Sequence, residues 1–418
     1  IDYERGVLTK QIDTLELWHV EDIHFEQGLV DRMCNVGSIT VVSRDASMPR
    51  LELHGIPNPR VIFEAARLER RENAPDAALR TLGMLIPSQL PPRQQRGYWY
   101  EMGRNLDRVE RHHDAWNAYA EANRLARGEM QRQLAGAQPL AAMLDALAAQ
   151  PPLQVFDEVA DPADHRPVFL LGFPRSGITL INTMLACHPD IATLEEQPTI
   201  ESCVAHLGAS SHGYPGALPH LTPRDAGELR AMYWQSVTRH AAVETGRRVL
   251  VDMFPLRTIH VALVRALFPN ARIVYVQRHP ADVVLSNFMQ DFATNAANVA
   301  FTDPLATAQI YAAAVRVWQR NVAANDPNVI CLRYEDLIGS PEETLRPLLD
   351  FIGLGWNAQV LVGYRERARN VRVGTSSYHQ VAEALSDRSI GRWMKYRDEL
   401  APVLPLLQPA ADAFGYTL

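Results

Sequence analysis

The residues of this chain best placed to do chemistry run from Gly172 to Thr179, in the order Gly-Phe-Pro-Arg-Ser-Gly-Ile-Thr. The apolar run Val168-Phe-Leu-Leu171 precedes them, and a helical stretch from Thr179 to Ala186 follows. A glycine-bearing turn between a buried strand and a helix start is where backbone amides and the helix dipole favour an anion. The spacing is that of G-x-x-x-x-G-K-[ST], the loop that cradles nucleoside triphosphates, except that Ile178 stands where the lysine belongs. An aliphatic side chain brings no charge to β- and γ-phosphates, which argues against an ATPase or a nucleotide kinase. The positive charge is instead Arg175, inside the loop, and a bidentate guanidinium suits a single terminal phosphate or sulfonate. Two other places carry reactive types. Arg278 follows the apolar run Ala271–Gln277, with Ser286 eight residues later, about two helical turns on. Glu195 and Glu196 are adjacent carboxylates, read alone either as a solvated turn or as an acid–base pair.

The elements that must hold these residues form the last of three segments. From about residue 151 to 418 strands and helices alternate: Pro167–Gly172, Val249–Asp252, Ala271–Gln277 and Val329–Arg333 read as buried parallel strands, each with helical sequence nearby. That is the α/β doubly wound pattern, with ligands expected at the carboxyl ends of the strands. Residues 71–150 read as helices. Tyr98, Met102, Leu106, Ala115, Ala118, Tyr119 and Ala122 recur at three- and four-residue steps, broken at Arg111-His112-His113-Asp114. This resembles one tetratricopeptide repeat, with Ala77–Leu85 part of a preceding one; a peptide-binding surface and a helical lid on the next domain both fit. Pro139, Pro151 and Pro152 bracket the boundary that follows.

Residues 1–70 read as strands closed by a helix. Leu15 and Leu17 alternate with Glu16 and Trp18, Ile39 and Val41 with Thr40 and Val42, and Leu51 and Leu53 flank Glu52. The polar stretch Arg44–Pro49 links the last two runs as a hairpin, and Asn58-Pro59 starts a helix carrying Val61, Ile62, Ala65 and Leu68. The stretch Asp31–Arg60 resembles the later part of a bacterial pleckstrin-homology-like domain whose opening strands are missing. The whole is then a partial β domain, with or without a ligand of its own.

Composition narrows the classes further. The chain has 418 residues with 47% hydrophobic and 21% charged, which excludes a disordered or collagen-like polymer. A net charge of −7 argues against a general nucleic-acid binder. No apolar run approaches the ~18–20 residues of a membrane span. Cys34, Cys187, Cys203 and Cys331 lie far apart, favouring a reducing, cytoplasmic setting with neither a zinc site nor a disulfide framework. The chain starts at Ile1 without a basic-then-apolar leader, so it is expected to be neither a complete reading frame nor a secretory precursor. Only Lys10 and Lys395 are lysines, so chemistry that needs an amine has two candidates.

The stretch "PVFLLGFPRSGITLI" resembles the 5′-phosphosulfate loop of sulfotransferases that use 3′-phosphoadenosine 5′-phosphosulfate. The stretch "FPNARIVYVQRHPADVVLSNF" resembles the 3′-phosphate strand and helix of the same family. "VICLRYEDLIGSPEETLRPLLDFIGLGW" matches one of its structural stretches, giving Arg333, Glu335 and Asp336 an architectural role. "VGTSSYHQVAEALSDRSIGRWMKY" resembles the closing segment of protein-tyrosine sulfotransferases and their bacterial relatives with tetratricopeptide repeats. The likeness covers about residues 165–418 and implies a sulfotransferase fold, a parallel sheet flanked by helices. It further implies Arg175, Ser176, Gly177 and Thr179 at the donor's 5′ end and Arg278 and Ser286 at its 3′-phosphate. Arg392 and Lys395, with Trp393, would close over the nucleotide, and Ser377 would stabilise the transferring group. In the protein-tyrosine branch the base is the second glutamate of a pair, twenty-one residues after the loop arginine, which here is Glu196. The implied activity is transfer of a sulfuryl group, without a metal, to a hydroxyl on a peptide, carbohydrate, lipid or small molecule. Two positions depart from the family pattern: Ile178 replaces a threonine, and Met253 replaces the lysine of Asp-Lys-x-Pro. A non-catalytic binding module on the same fold is the competing expectation.

Overall fold

The computed structural model describes residues 2–5, 11–14, 20–26, 38–43, 50–53, 65–70, 72–133, 140–156, 167–240, 248–293, 295, 297–370 and 385–418. The alternation at 15–18, the helix start at 58–62 and Ser377 lie outside the described residues. The chain divides into two compact units, Ile1–Leu125 and Ala126–Leu418.

In the first unit β1 (Asp2–Arg5) pairs antiparallel with β2 (Gln11–Thr14). A three-stranded antiparallel sheet follows, made of β3 (Val20–Glu26), β4 (Ser38–Ser43) and β5 (Arg50–Leu53). Ile39 faces Leu53 and Val41 faces Leu51 across the β4–β5 pair, the two runs expected to form a hairpin. The helical part holds α1 (Pro75–Leu82), α2 (Pro92–Arg108) and the first half of α3 (His112–Gln133). Tyr98, Leu106, Ala115, Ala118, Tyr119 and Ala122 are buried, so the face read from spacing is the one that packs, although Met102 is only partly covered. The break between α2 and α3 falls at 109–111, where Glu110 adopts a left-handed φ of 61°.

The second unit is built on five parallel strands in the order β10-β9-β6-β8-β7. They are β6 (Pro167–Gly172), β7 (Ile191–Glu195), β8 (Val249–Met253), β9 (Arg272–Gln277) and β10 (Val329–Arg333). Every residue of β6 is buried, which is why its sequence is an unbroken apolar run rather than an alternation. Val168 and Leu170 join the apolar cluster with Ile181, Met184, Val251 and Val274. The Phe169 ring lies tilted against Tyr233 at 5.8 Å and Phe268 at 5.7 Å between ring centres. The helices are α4 (Leu140–Ala149), α5 (Ile178–Leu185), α6 (Thr199–Gly208), α7 (Pro223–His240), α8 (Val261–Leu267) and α9 (Pro280–Phe288). They continue as α10 (Pro304–Asn321), α11 (Tyr334–Gly339), α12 (Pro341–Phe351), α13 (Gln359–Val362), α14 (Tyr364–Asn370), α15 (Arg397–Leu400) and α16 (Leu404–Phe414).

The four strands expected from sequence are present; β7 is an addition. Only Ile191 and Leu194 of its five residues are buried, because it is the sheet's edge, and so little apolar pattern does not stand out in a sequence. β6 is first of the five in the chain yet central in the sheet, with β8 on one side and β9 on the other. The loops after β6, β7, β8 and β9 all emerge at the carboxyl edge of the sheet, the edge at which ligands of such sheets bind.

Candidate active site

The loop after β6 turns through two left-handed residues, Arg175 at φ 73° and Gly177 at φ 100°. A Cβ on Gly177 would lie 2.5 Å from Cδ2 of Tyr334, so both the backbone angle and the close approach require glycine here. The Ser176 hydroxyl donates to the Phe173 carbonyl at 2.8 Å, and the Thr258 hydroxyl donates to the Gly172 carbonyl at 2.9 Å. From α9, Asn287 Nδ2 donates to the Pro174 carbonyl at 3.0 Å. The loop is thereby bound to its own turn, to the turn after β8 and to α9. Its last glycine caps α5, whose first-turn amides have no partner within the helix.

Three expected nucleotide ligands come together. Arg175 Nε donates to Ser286 Oγ at 3.2 Å, and Arg278 Nη1 donates to the Arg175 carbonyl at 2.8 Å. Arg278 is 7% exposed; its guanidinium lies 4.7 Å from the centre of the Tyr334 ring, and Nη2 donates to the Ser389 carbonyl at 2.6 Å. Its Nε is buried with no hydrogen-bond partner. A buried guanidinium arm left unpaired beside a loop of amide donors is an arrangement that an anion completes. Thr179 is almost covered, its carbonyl accepting from the Thr183 hydroxyl at 2.7 Å.

Arg392 and Lys395 stand on the 3₁₀ turn Arg392–Tyr396, the first half-buried and the second exposed. The turn is held by Asp282, a residue that sequence reasoning missed. Asp282 is 1% exposed; its Oδ2 accepts from the Gly391 amide at 2.7 Å and its Oδ1 from the Trp393 amide at 2.8 Å. Burial raises its carboxyl above the ordinary value, against the lowering effect of Arg278 and the two amides. An aspartate in the first turn of a helix is an everyday stabiliser, so its spacing alone gave no sign of this task. Glu335 is architectural as expected, accepting from the His279 amide at 2.9 Å and the Tyr416 hydroxyl at 2.8 Å. Arg333 lies over the Tyr416 ring at 4.2 Å.

Glu196 directly follows β7, in a left-handed conformation of φ 49°, with its amide donating to the Met253 carbonyl at 2.8 Å. Its strand lies two places from β6, about 10 Å across the sheet, with both carboxyl ends on the same edge. The residue keeps part of its surface in solvent, while the protein packed around its carboxyl group partly desolvates it. That desolvation, reinforced by the charge of Glu195, pushes the Glu196 carboxyl up to about 7.

The two departures from the family pattern are both turned inward. Ile178 is 3% exposed and Met253 is fully buried, and both belong to the apolar cluster under the sheet. Nor does Arg257 stand in for the missing lysine. It is fully buried, paired with Asp252 at 2.7 Å and with Glu201 at 2.8 Å. Those carboxylates hold its guanidinium protonated far above its ordinary range. Beside it His260 is kept neutral, its imidazole pushed down to about 3 by burial and by Arg257, and it is bonded to the Tyr214 hydroxyl at 2.7 Å. Among the described residues no cluster of His, Cys, Asp or Glu could hold a metal ion, and no helix is long and apolar enough to cross a membrane.

A parallel sheet with a glycine-bearing strand–loop–helix turn at its centre defines an α/β protein of the kind that takes ligands at the carboxyl ends of its strands. Sequence comparison adds that residues 167–358 match the model of the sulfotransferase family. An uncharacterized protein of Aquifex aeolicus is 26% identical over 368 residues, covering 84% of this chain and 46% of that protein. The protein-tyrosine sulfotransferase of Drosophila melanogaster is 24% identical over 259 residues, covering 57% of this chain and 51% of that enzyme. The chain thus spans about half the length of these two relatives. The solved sulfotransferase domain of the Synechococcus PCC 7002 olefin synthase is 24% identical, covering 62% of this chain and all of that domain, at a TM-score of 0.39.

Proposed function

We propose that the protein transfers the sulfuryl group of 3′-phosphoadenosine 5′-phosphosulfate to a hydroxyl acceptor, with protein tyrosine the leading acceptor class. The observation that carries this is the convergence of Arg175, Arg278 and Ser286 around a left-handed loop, with an unpaired arm of buried Arg278 left for an anion. The donor's 5′ end would be held by the loop amides, Arg175, Ser176, Gly177 and Thr179, and its 3′-phosphate by Arg278 and Ser286. Arg392 and Lys395 would cover the nucleotide, and Ser377 would serve the transferring group.

The donor supplies an activated sulfuryl group. Glu196 takes the proton of the acceptor hydroxyl as its oxygen bonds to sulfur and the bond from sulfur to the 5′-phosphate oxygen breaks. A carboxyl raised to about 7 suits this work, being a stronger base than an ordinary glutamate while still substantially ionised at neutral pH. Arg175 orients the group in line and offsets charge gathering on the leaving phosphate. The helical repeats before the domain would offer a peptide acceptor its surface.

Calorimetric titration with adenosine 3′,5′-bisphosphate against ADP is the direct test. Selective binding of the bisphosphate supports the donor site, and equal affinity for the two overturns it. One observation favours a second reading, a non-catalytic nucleotide-binding module. The lysine position is held by a buried methionine, and the neighbouring arginine is committed elsewhere. Losing one donor to developing charge costs ~3 kcal/mol, about a hundredfold in rate. Transfer by the wild-type protein separates the readings: turnover that is lost in Glu196→Gln marks an enzyme, and bisphosphate binding without turnover of a hydroxyl acceptor marks the module.

A further inference from the structure

The turn that carries Glu196 is held by a buried arginine. Arg257 lies in the 3₁₀ turn Pro255–His260 after β8 and is fully buried. Its fork grips Glu201 at both oxygens, Nε to Oε1 at 3.0 Å and Nη2 to Oε2 at 2.8 Å. The same Nη2 donates to the Gln197 carbonyl at 3.1 Å, one residue past Glu196. On the other side Nη1 pairs with Asp252 Oδ1 at 2.7 Å, while Asp252 Oδ2 accepts from the Thr199 hydroxyl at 2.7 Å. The guanidinium therefore joins Gln197 and Glu201 to the end of β8, with Thr199 tied in through Asp252, and it rests 5.2 Å from the centre of the Phe254 ring.

We propose that Arg257 is the positioning residue of Glu196, fixing its turn to β8 without touching donor or acceptor. This rests on the reading of Glu196 as base. A left-handed glutamate persists only where its surroundings over-determine it. The other restraints on the turn are single hydrogen bonds: the Glu196 amide on the Met253 carbonyl, Gln197 Nε2 on the Glu195 carbonyl at 2.9 Å, the Thr199 amide on the Gln197 carbonyl at 2.8 Å, and the Ser202 and Ser236 hydroxyls on the Pro198 carbonyl. The guanidinium is the one group here with a planar fork able to engage a carboxylate at two oxygens and a backbone carbonyl at once. A lysine in its place keeps the charge but offers one point of attachment.

The test compares full-length wild-type protein with Arg257→Lys and Glu201→Gln, the second leaving the ion pair with Asp252 in place. Backbone hydrogen exchange at Glu196 is expected to quicken tenfold or more in both variants. Affinity for adenosine 3′,5′-bisphosphate is expected to stay within about twofold. In transfer assays kcat falls tenfold or more while KM for the donor holds. Unchanged exchange at Glu196 overturns the proposal, as does a loss of bisphosphate affinity matching the loss of kcat. If R257K does not fold, E201Q decides alone by the same measurements. Wild-type protein that binds the bisphosphate but transfers nothing would sink the reading of Glu196 as base, while the exchange rates would still decide whether Arg257 fixes the turn.

Discussion

Replacing Gly177 by alanine puts a number on how tightly the anion loop is built. At φ 100° an L-residue pays a left-handed penalty of ~1–2 kcal/mol. The added methyl group would also sit 2.5 Å from Tyr334 Cδ2. That ring has little room to retreat, because the Arg278 guanidinium lies 4.7 Å from its centre and is itself bonded to the Arg175 and Ser389 carbonyls. Overpacking of this kind costs ~1–3 kcal/mol, for a combined ~2–5 kcal/mol. A central ~3 kcal/mol lowers Tm by ~6–12 °C in a domain of this class. The control is Gly227→Ala, on the exposed face of α7, where a Cβ meets nothing within 4 Å. There alanine is expected to leave Tm unchanged or slightly raised. Thermal unfolding with and without adenosine 3′,5′-bisphosphate reads both quantities: wild-type and G227A gain stability from the nucleotide, and G177A gains much less. A G177A protein with the Tm and nucleotide response of wild type would refute the account of the loop as a conformation that only glycine permits.

Other substitutions address the remaining parts of the site. Glu196→Gln is expected to keep bisphosphate affinity and to lose transfer by a hundredfold or more, measured by radiolabelled sulfate transfer. Wild-type turnover should rise as pH climbs through about 7, where the Glu196 carboxyl ionises. The same shift carries a stability sign. The folded carboxyl titrates at about 7 against 4.5 for an ordinary glutamate, so the folded state holds the extra proton between those values. Stability is therefore highest below that window and declines as pH rises through it, a slope that urea titrations should find absent in E196Q. Asp282→Ala leaves the Gly391 and Trp393 amides without their acceptor, at ~1–3 kcal/mol for each buried donor. Faster hydrogen exchange at 389–396 with weaker bisphosphate binding is expected, and unchanged exchange there would show that Asp282 does not hold the turn.

Much of the second unit was legible in the sequence because its information is local. Unbroken apolar runs marked four of the five strands, and a glycine-bearing turn between strand and helix marked the anion loop. The spacing of Ser286 from Arg278 put both on one strand–helix corner, and the ladder and helix bring them to Arg175. Edge strand β7 escaped notice because an edge needs little apolar pattern, although Glu196, the residue that follows it, was singled out as the proposed base through family spacing. What sequence could not supply was direction. Ile178 and Met253 read as gaps in a charged site, yet their side chains fill the apolar cluster. Arg257 supplies a cation four residues after Met253, yet it is spent on Asp252, Glu201 and Gln197. Asp282, at the start of a helix, holds a turn more than a hundred residues away. Residue types and short spacings follow from chain geometry, so one sequence can show them. Which carboxylate meets which buried guanidinium depends on how distant segments cross, and desolvation makes such pairings decisive only after the chain has folded.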